Sequence, residues 1–366
     1  MSGGNASAGL VAQFIDGAKR FRWMGSPLYG ALCRHAADDE DILQIAAEAP
    51  AGQPSTHLLF AAVHALILAG KCVNLAAYYG SVNDQPNLDY DDAFAHFRTV
   101  CRDYRDEIVG IMKKRTVQFT FASRAAFVLP TIAYVARLAG EPISLIDIGC
   151  SAGLITAFTE YAYDYGFGGR IGNDSAMAIS GFRFQGLAPH ALLMKIPEIG
   201  ARVGIDLNPV DPSDPEERRW IDALCPPDMA EERAELRAAL ALRARINIPV
   251  IRGDALATLP AVLSSMPDPI CILATHCLYQ WPQNARGALD GLLCAASKGR
   301  IIYQVTIDHP GALDPLRIVA LSSAADDVMP LEHEAVLTQY RDGRTSKKLL
   351  GRYDSFGRRG VWLAVQ

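Results

Sequence analysis

The sequence contains no Cys-x-x-Cys pair: its eight cysteines, at positions 33, 72, 101, 150, 225, 271, 277 and 294, are scattered through 366 residues. That spacing excludes a zinc knuckle and a dithiol redox motif, and it reads as small thiols packed into a core in a reducing compartment. There is no basic excess, with 35 Lys and Arg against 40 Asp and Glu and a formal net charge of −5, so no nucleic-acid partner is expected. No apolar run reaches the roughly 18 residues that a membrane span needs, and no membrane association is expected. Met1 to Gly9 lacks the basic-then-apolar pattern of a secretory signal, which points to a cytoplasmic protein. Repeats of fixed period, low-complexity tracts and a Gly-x-x-x-x-Gly-Lys-Ser/Thr phosphate loop are also missing.

What is present is a chain with 50% hydrophobic residues, enough to bury a sizeable core over two domains. Residues 1–120 read as a helical N-terminal domain. Leu58 to Ala69 is a run of helix formers closed by Gly70, and the spacing predicts a buried helix in which His64 is a hydrogen-bonded core histidine. Ala93 to Lys114 places Phe94, Phe97, Cys101, Tyr104, Ile108 and Ile111 three and four apart, the period of an amphipathic helix. Arg124 to Ala139 continues as another helix.

Residues 121–366 read as an α/β domain. Strands are expected at 143–148, 202–207, 249–252, 270–275 and 300–307, with helices at 154–161, 215–246, 256–263 and 284–296 between them. That alternation predicts a doubly wound, mostly parallel Rossmann-like sheet. Short β-rich runs around Asp342-Gly343 and Gly357 predict antiparallel strands closing one edge. About forty residues rich in glycine and aromatics, 164–199, interrupt the pattern and are expected to form a β-hairpin insertion, with 181–186 as one strand.

The first strand, Ser144 to Ile148, runs into Gly149-Cys150-Ser151-Ala152-Gly153. As Gly149-x-Ser151-x-Gly153 it matches the nucleophile elbow of α/β-hydrolases, with Ser151 as the attacking hydroxyl. As Asp147-x-Gly149-x-x-x-Gly153 it resembles the first motif of S-adenosylmethionine-dependent methyltransferases, in which the turn holds the cofactor. Helices rather than strands precede the turn, and no His-Gly-Gly-Gly segment supplies an oxyanion hole, both of which weigh against the hydrolase.

Two further acids come in the order that the methyltransferase pattern implies. Asp206 ends the second strand, where a carboxylate accepts from both ribose hydroxyls, as in dinucleotide sites. Gly253-Asp254-Ala255 ends the third, where the carboxylate meets the adenine amino group and the Ala255 amide faces a ring nitrogen. Asp206 also suits a turn before Asn208-Pro209, and Asp254 suits a helix N-cap. The chain departs from the common motif in having Ser151 at its middle glycine and in the long separation of Gly149 from Asp206, which the insertion accounts for.

Tyr163-Asp164-Tyr165, Gly204 to Asp211, Arg219-Trp220 and Arg252 to Ala255, with Ser26-Pro27-Leu28-Tyr29 and Leu59 to His64, give the chain a pattern that resembles the bacterial family called domain of unknown function 2332, over nearly its whole length. The resemblance implies a variant of the class I methyltransferase fold with a helical N-terminal extension. The family's segment before the first strand reads Gln-Thr-Asn-Glu followed two residues later by Arg; here Gln118 and Arg124 match, while Phe119, Thr120 and Phe121 depart.

Methyl transfer needs alignment of acceptor and methyl, exclusion of water and, for some acceptors, a base. The acceptor side is expected at the end of the fourth strand, Ala274-Thr275-His276-Cys277-Leu278-Tyr279-Gln280-Trp281. There Thr275 lines the cofactor pocket, His276 is the candidate base, with an ordinary pKa of about 6.5, and Tyr279 is its catalytic neighbour. Packed-loop roles for His276 and Tyr279 stay open. Asp211, Asp214, Glu216 and Glu217 read as a solvated helix start, and no metal is expected. The function expected is thus a methyltransferase that takes S-adenosylmethionine and a small-molecule acceptor. The alternatives are a non-catalytic binder of a nucleotide-like ligand or partner on the same fold, and a serine hydrolase using Ser151.

Overall fold

The computed structural model describes residues 3–140, 142–173, 177–310 and 331–364. The chain forms two compact units, one of residues up to Phe119 together with Ser213–Arg237, the other of Thr120–Pro212 and Ala238 onward. Twelve α-helices are present among the described residues.

The first unit is helical. Its centre is the helix Ser55–Leu68, buried on almost every side and packed against Arg105–Lys114 and Pro215–Leu224. His64 sits inside it with both ring nitrogens engaged: Nδ1 donates to the Ala223 carbonyl at 3.0 Å, which leaves Nε2 to accept from Ser81 Oγ at 2.8 Å. Burial and the nearby Arg233 push its pKa down to about 3, so the ring is a neutral structural bridge. Side-chain caps start several helices, with Ser26, Asp39 and Asp89 accepting from Tyr29, Ile42 and Asp92 amides. The amphipathic stretch expected at 93–114 is two helices, Tyr90–Asp103 and Arg105–Lys114, broken at Tyr104. The helix expected at 215–246 is likewise two, Pro215–Leu224 and Ala230–Arg243. Pro226 and Pro227 lie in the break, where each removes an amide donor and crowds the preceding turn.

The second unit is built on a nine-stranded sheet. Its strands are β1 (Ile143–Ile148), β4 (Arg183–Phe184), β5 (Ile199–Asp206), β6 (Val250–Arg252), β7 (Ile270–Thr275), β8 (Ile301–Asp308), β9 (His333–Arg341), β10 (Arg344–Tyr353) and β11 (Arg359–Trp362). Their order is β6-β5-β1-β7-β8-β9-β10-β11-β4, parallel from β6 through β8 and antiparallel from β8 through β11. β1 is buried throughout and β7 nearly so; that fits the almost unbroken apolar sequence of β7, while β1 also buries Ser144 and Asp147. β9 and β10 join through the two-residue turn Asp342-Gly343, both at positive φ, as a tight hairpin requires. The chain runs outward from β1 to β5 and β6 on one side, then returns to β7 and β8 on the other. The order therefore reverses between β1 and β7, and a ligand crevice is expected at the carboxyl ends there.

Two expectations for this unit are corrected. No helix follows the glycine turn: residues 154–157 are turns, and Phe158–Glu160 is a single 3-10 turn. The Leu154 carbonyl accepts from Tyr161 Oη at 2.8 Å, and the Phe158 amide reaches only three residues back, to Ile155. These bonds displace the four-residue ladder that a helix needs. Among the described residues the insertion forms no β-hairpin: β2 (Ala162–Asp164) and β3 (Ala178–Ser180) pair in parallel, and the one antiparallel contact is the isolated bridge between Tyr163 and Ile171. Parallel pairing cannot be closed by a tight turn, and the path bends instead through Gly166, Gly168, Gly169 and Gly172, all at positive φ. Residues 174–176 of the expected insertion lie outside the described residues. Of the strand expected at 181–186, Arg183–Phe184 is β4, which pairs in parallel with β11 at the sheet edge.

Candidate functional site

The glycine turn leaves β1 with three alternate residues in the left-handed region: Gly149 at φ 73°, Ser151 at 52° and Gly153 at 71°. Space requires the first of these to be glycine, since a Cβ on Gly149 would lie 2.6 Å from that of Cys277. At Gly153 a Cβ would lie 2.8 Å from Arg243 Nε. Such turns point backbone amides into a concavity that suits an anion, and here the protein supplies one. Asp206 Oδ2 accepts from the Ser151 amide at 2.8 Å, and Oδ1 accepts from the Asn208 amide at 2.7 Å. The Ser151 carbonyl in turn accepts from the Val210 amide at 3.3 Å. Asp206 thus ties the end of β5 to the turn after β1, a link that residues 55 apart gave no local sign of.

Asp147 is buried one residue before the end of β1, where Thr156 Oγ1 donates to it at 2.5 Å. Burial, reinforced by the charge of Asp206, lifts its pKa to about 7 against the hydrogen bond from Thr156. Ser151 Oγ and Thr275 Oγ1, at the carboxyl ends of β1 and β7, are buried and have no hydrogen-bond partner among the described residues. Arg243 Nε, against Gly153, is in the same position, while the other guanidinium nitrogens bond the Ile246 and Ile248 carbonyls. Asp254 is exposed at the carboxyl end of β6 and caps the helix Ala255–Ser265, accepting from the Ala257 amide at 3.0 Å. Ala255 is buried in the first turn of that helix.

A second group of polar side chains gathers at the ends of β7 and β8. His276 has a positive φ of 53°, and its Nε2 hydrogen-bonds Tyr353 Oη on β10. Its ring lies 4.0 Å from that of His333. Burial, then the charges of Arg124 and His333, push the His276 pKa well below the usual range, so the ring is neutral. Asp308 is fully buried and accepts from the Tyr279 amide at 3.1 Å and the His309 amide at 2.8 Å. It therefore shapes the loop, and burial raises its pKa to about 6. The Tyr279 side chain is 56% exposed. Arg124 is buried, with Nε donating to the Ser355 carbonyl at 2.8 Å.

A family profile described as "uncharacterized protein conserved in bacteria (DUF2332)" matches residues 11–362. The chain belongs to this family. None of the curated proteins matches it.

The edge of the sheet thus joins Asp147, Gly149, Ser151, Gly153 and Asp206 in one hydrogen-bonded turn, with Thr275 on the strand beside it. His276 belongs to a separate cluster with Tyr353 and His333, and Asp254 stands in solvent at the last parallel strand. Tyr353, His333, Thr156 and Arg243 escaped sequence reasoning. They come from distant segments, and only Thr156 is near a recognised motif. Among the described residues no three His, Cys, Asp or Glu are arranged to hold a metal ion, and no helix is long and apolar enough to cross a membrane.

Proposed function

We propose that the chain is an S-adenosylmethionine-dependent methyltransferase of class I architecture acting on a small-molecule acceptor. The observation that carries this reading is the joining of Asp206 to the glycine turn at the point where the strand order reverses. Such a crevice is where open α/β sheets take nucleotide-like ligands. A carboxylate offers about four acceptor positions, so two backbone bonds do not by themselves exhaust Asp206. The residues present fit the cofactor on a further ground. A buried hydroxyl without a partner costs about 1–3 kcal/mol, and Ser151 Oγ and Thr275 Oγ1 both lie at this edge in that state; a polar ligand relieves them.

When bound, the cofactor supplies a methyl group on a positively charged sulfur. Asp206 holds the ribose, the Asp254 carboxylate and Ala255 amide take the adenine edge, and Asp147 with the turn faces the methionine part. His276 and Tyr279 line the acceptor side.

Asp206→Ala abolishes S-adenosylmethionine binding on this reading, and Asp254→Ala weakens it; unchanged affinity in both variants puts the pocket elsewhere. Two other readings each have one observation behind them. The bonds of Asp206 to the protein's own backbone suit a fold that has kept the turn for structure and binds a ligand without turnover. The left-handed φ of Ser151 suits a nucleophile elbow, although no base reaches its hydroxyl among the described residues. Fluorophosphonate labelling of the wild type but not of Ser151→Ala decides for the hydrolase.

A further inference from the structure

The helix Arg105–Lys114 carries a glycine in its middle, Gly110, where glycine costs more stability than any residue but proline. No packing contact accounts for it: Gly110 is in ordinary helical conformation, and a Cβ on it would meet nothing within 4 Å. The missing side chain instead opens a groove of about 350 Å³, lined by Glu107, Gly110, Ile111, Lys114, Arg115 and Glu216. All six residues belong to the helical unit. Positions 107, 110, 111 and 114 are three and four apart and form one stripe of their helix, and Glu216 comes from the first turn of Pro215–Leu224. The two helices are clamped together beside the groove. Arg115 donates to Glu217 at 2.5 Å, its guanidinium lies 5.9 Å from the centre of the Trp220 ring, and Trp220 Nε1 donates to the Thr116 carbonyl at 3.0 Å.

Four charged side chains line the space, and two of them are already matched. Both carboxylate oxygens of Glu107 accept from Lys71 Nζ, at 2.6 and 2.8 Å, and Arg115 is paired with Glu217. Lys114 and Glu216 have no ion-pair partner among the described residues. The groove therefore presents one uncommitted cation, on the last turn of one helix, and one uncommitted anion, on the first turn of the other. The rest of its lining is the bare backbone of Gly110 and the half-buried side chain of Ile111. Small-molecule sites begin at about 300 Å³, and this one has the volume of roughly a dozen waters. A ligand carrying a single charge leaves either Lys114 or Glu216 unanswered, whereas a small zwitterion with an apolar part answers both and covers Ile111.

We propose that this groove is a binding site for a free α-amino acid with an aliphatic side chain, whose carboxylate pairs with Lys114, whose ammonium pairs with Glu216 and whose side chain lies on Ile111 and over Gly110. The site is separate from the glycine turn of the sheet and does not rest on the methyltransferase reading. It gives the helical unit a ligand of its own and gives Gly110 a reason to lack a side chain.

The test follows the δ1 methyl signal of Ile111 in full-length protein labelled at isoleucine methyls, assigned by its loss in Ile111→Val. L-Leucine, the probe, shifts this signal saturably when added up to about 50 mM. The analogues 4-methylpentanoate, without the ammonium, and 3-methylbutylamine, without the carboxylate, bind about two- to fivefold more weakly, as loss of one exposed ion pair implies. Lys114→Gln weakens leucine by the same factor and leaves 3-methylbutylamine unchanged, and Glu216→Gln weakens leucine and leaves 4-methylpentanoate unchanged. Gly110→Leu fills the groove and abolishes the shift; leucine is a good helix former and meets no neighbour there, and unchanged signals from the other isoleucines verify the fold. An Ile111 methyl that leucine leaves unmoved overturns the proposal, as does equal binding of leucine and its two analogues. A shift of the same size at the exposed Ile15 marks a nonspecific effect and overturns it as well. These wild-type readouts do not depend on how any variant folds. No cofactor is involved, so failure here and failure of the methyltransferase reading are told apart.

Discussion

Replacing Asp147 with Asn tests whether the glycine turn stores a buried carboxylate that is uneasy when ionised. In the native protein its pKa is about 7 against an ordinary 3.8. The folded state then binds a proton that the unfolded state has released, and stability falls as pH rises from about 4 to about 7. At about 1.4 kcal/mol per pH unit, the penalty is about 1.7 kcal/mol at pH 5 and about 4 kcal/mol at pH 8. Asn keeps an acceptor for Thr156 Oγ1 and brings an amide that needs a partner, but those terms do not vary with pH. The stability of Asp147→Asn relative to wild type should therefore rise by about 2.5 kcal/mol between pH 5 and pH 8. Urea unfolding read by hydrogen exchange at the β1 amides follows this sheet rather than the helical unit. A difference that stays constant within about 0.5 kcal/mol refutes the reasoning, because a carboxyl of ordinary acidity is ionised at both pH values.

Other perturbations separate geometry from charge. Gly149→Ala combines left-handed strain with a 2.6 Å approach to Cys277 and should cost about 2–4 kcal/mol, whereas Gly168→Ala, also left-handed but facing open space, should cost about 1 kcal/mol; equal losses by chemical denaturation contradict the packing of the turn. For His64 the sign is reversed, since a pKa lowered to about 3 means that its contribution is full above 6.5 and is lost as pH falls towards 3. His64→Gln should abolish about 3 kcal/mol of acid destabilisation between pH 7 and pH 4, read from exchange of the Ser55–Leu68 amides; an unchanged acid limb counts against a neutral buried ring.

The fold was most legible where burial alone decides the pattern. The apolar run Ile270–Thr275 can only be a strand covered on both faces, and it is β7 to the residue. Asp342-Gly343 specifies a two-residue hairpin through its own backbone preferences. The stretch after Gly153 was misread because its apolar residues suit a helix equally well, and what prevents one is a set of side-chain bonds from Thr156 and Tyr161. The break at Pro226-Pro227 was readable in the sequence; that at Tyr104 carries no breaker residue. For the site, Gly149 to Gly153 and Asp206 announced themselves by their place after strands, but their mutual bond did not. Tyr353 was invisible, lying 77 residues from His276 on a strand whose neighbours are set by the antiparallel edge.

The central claim is tested most directly by calorimetric titration of the wild-type chain with S-adenosylhomocysteine, which keeps the adenosine and amino-acid parts of the cofactor and cannot turn over. The account predicts saturable binding at one site per chain, retained in Ser151→Ala and lost in Asp206→Ala. No heat of binding at millimolar ligand contradicts it.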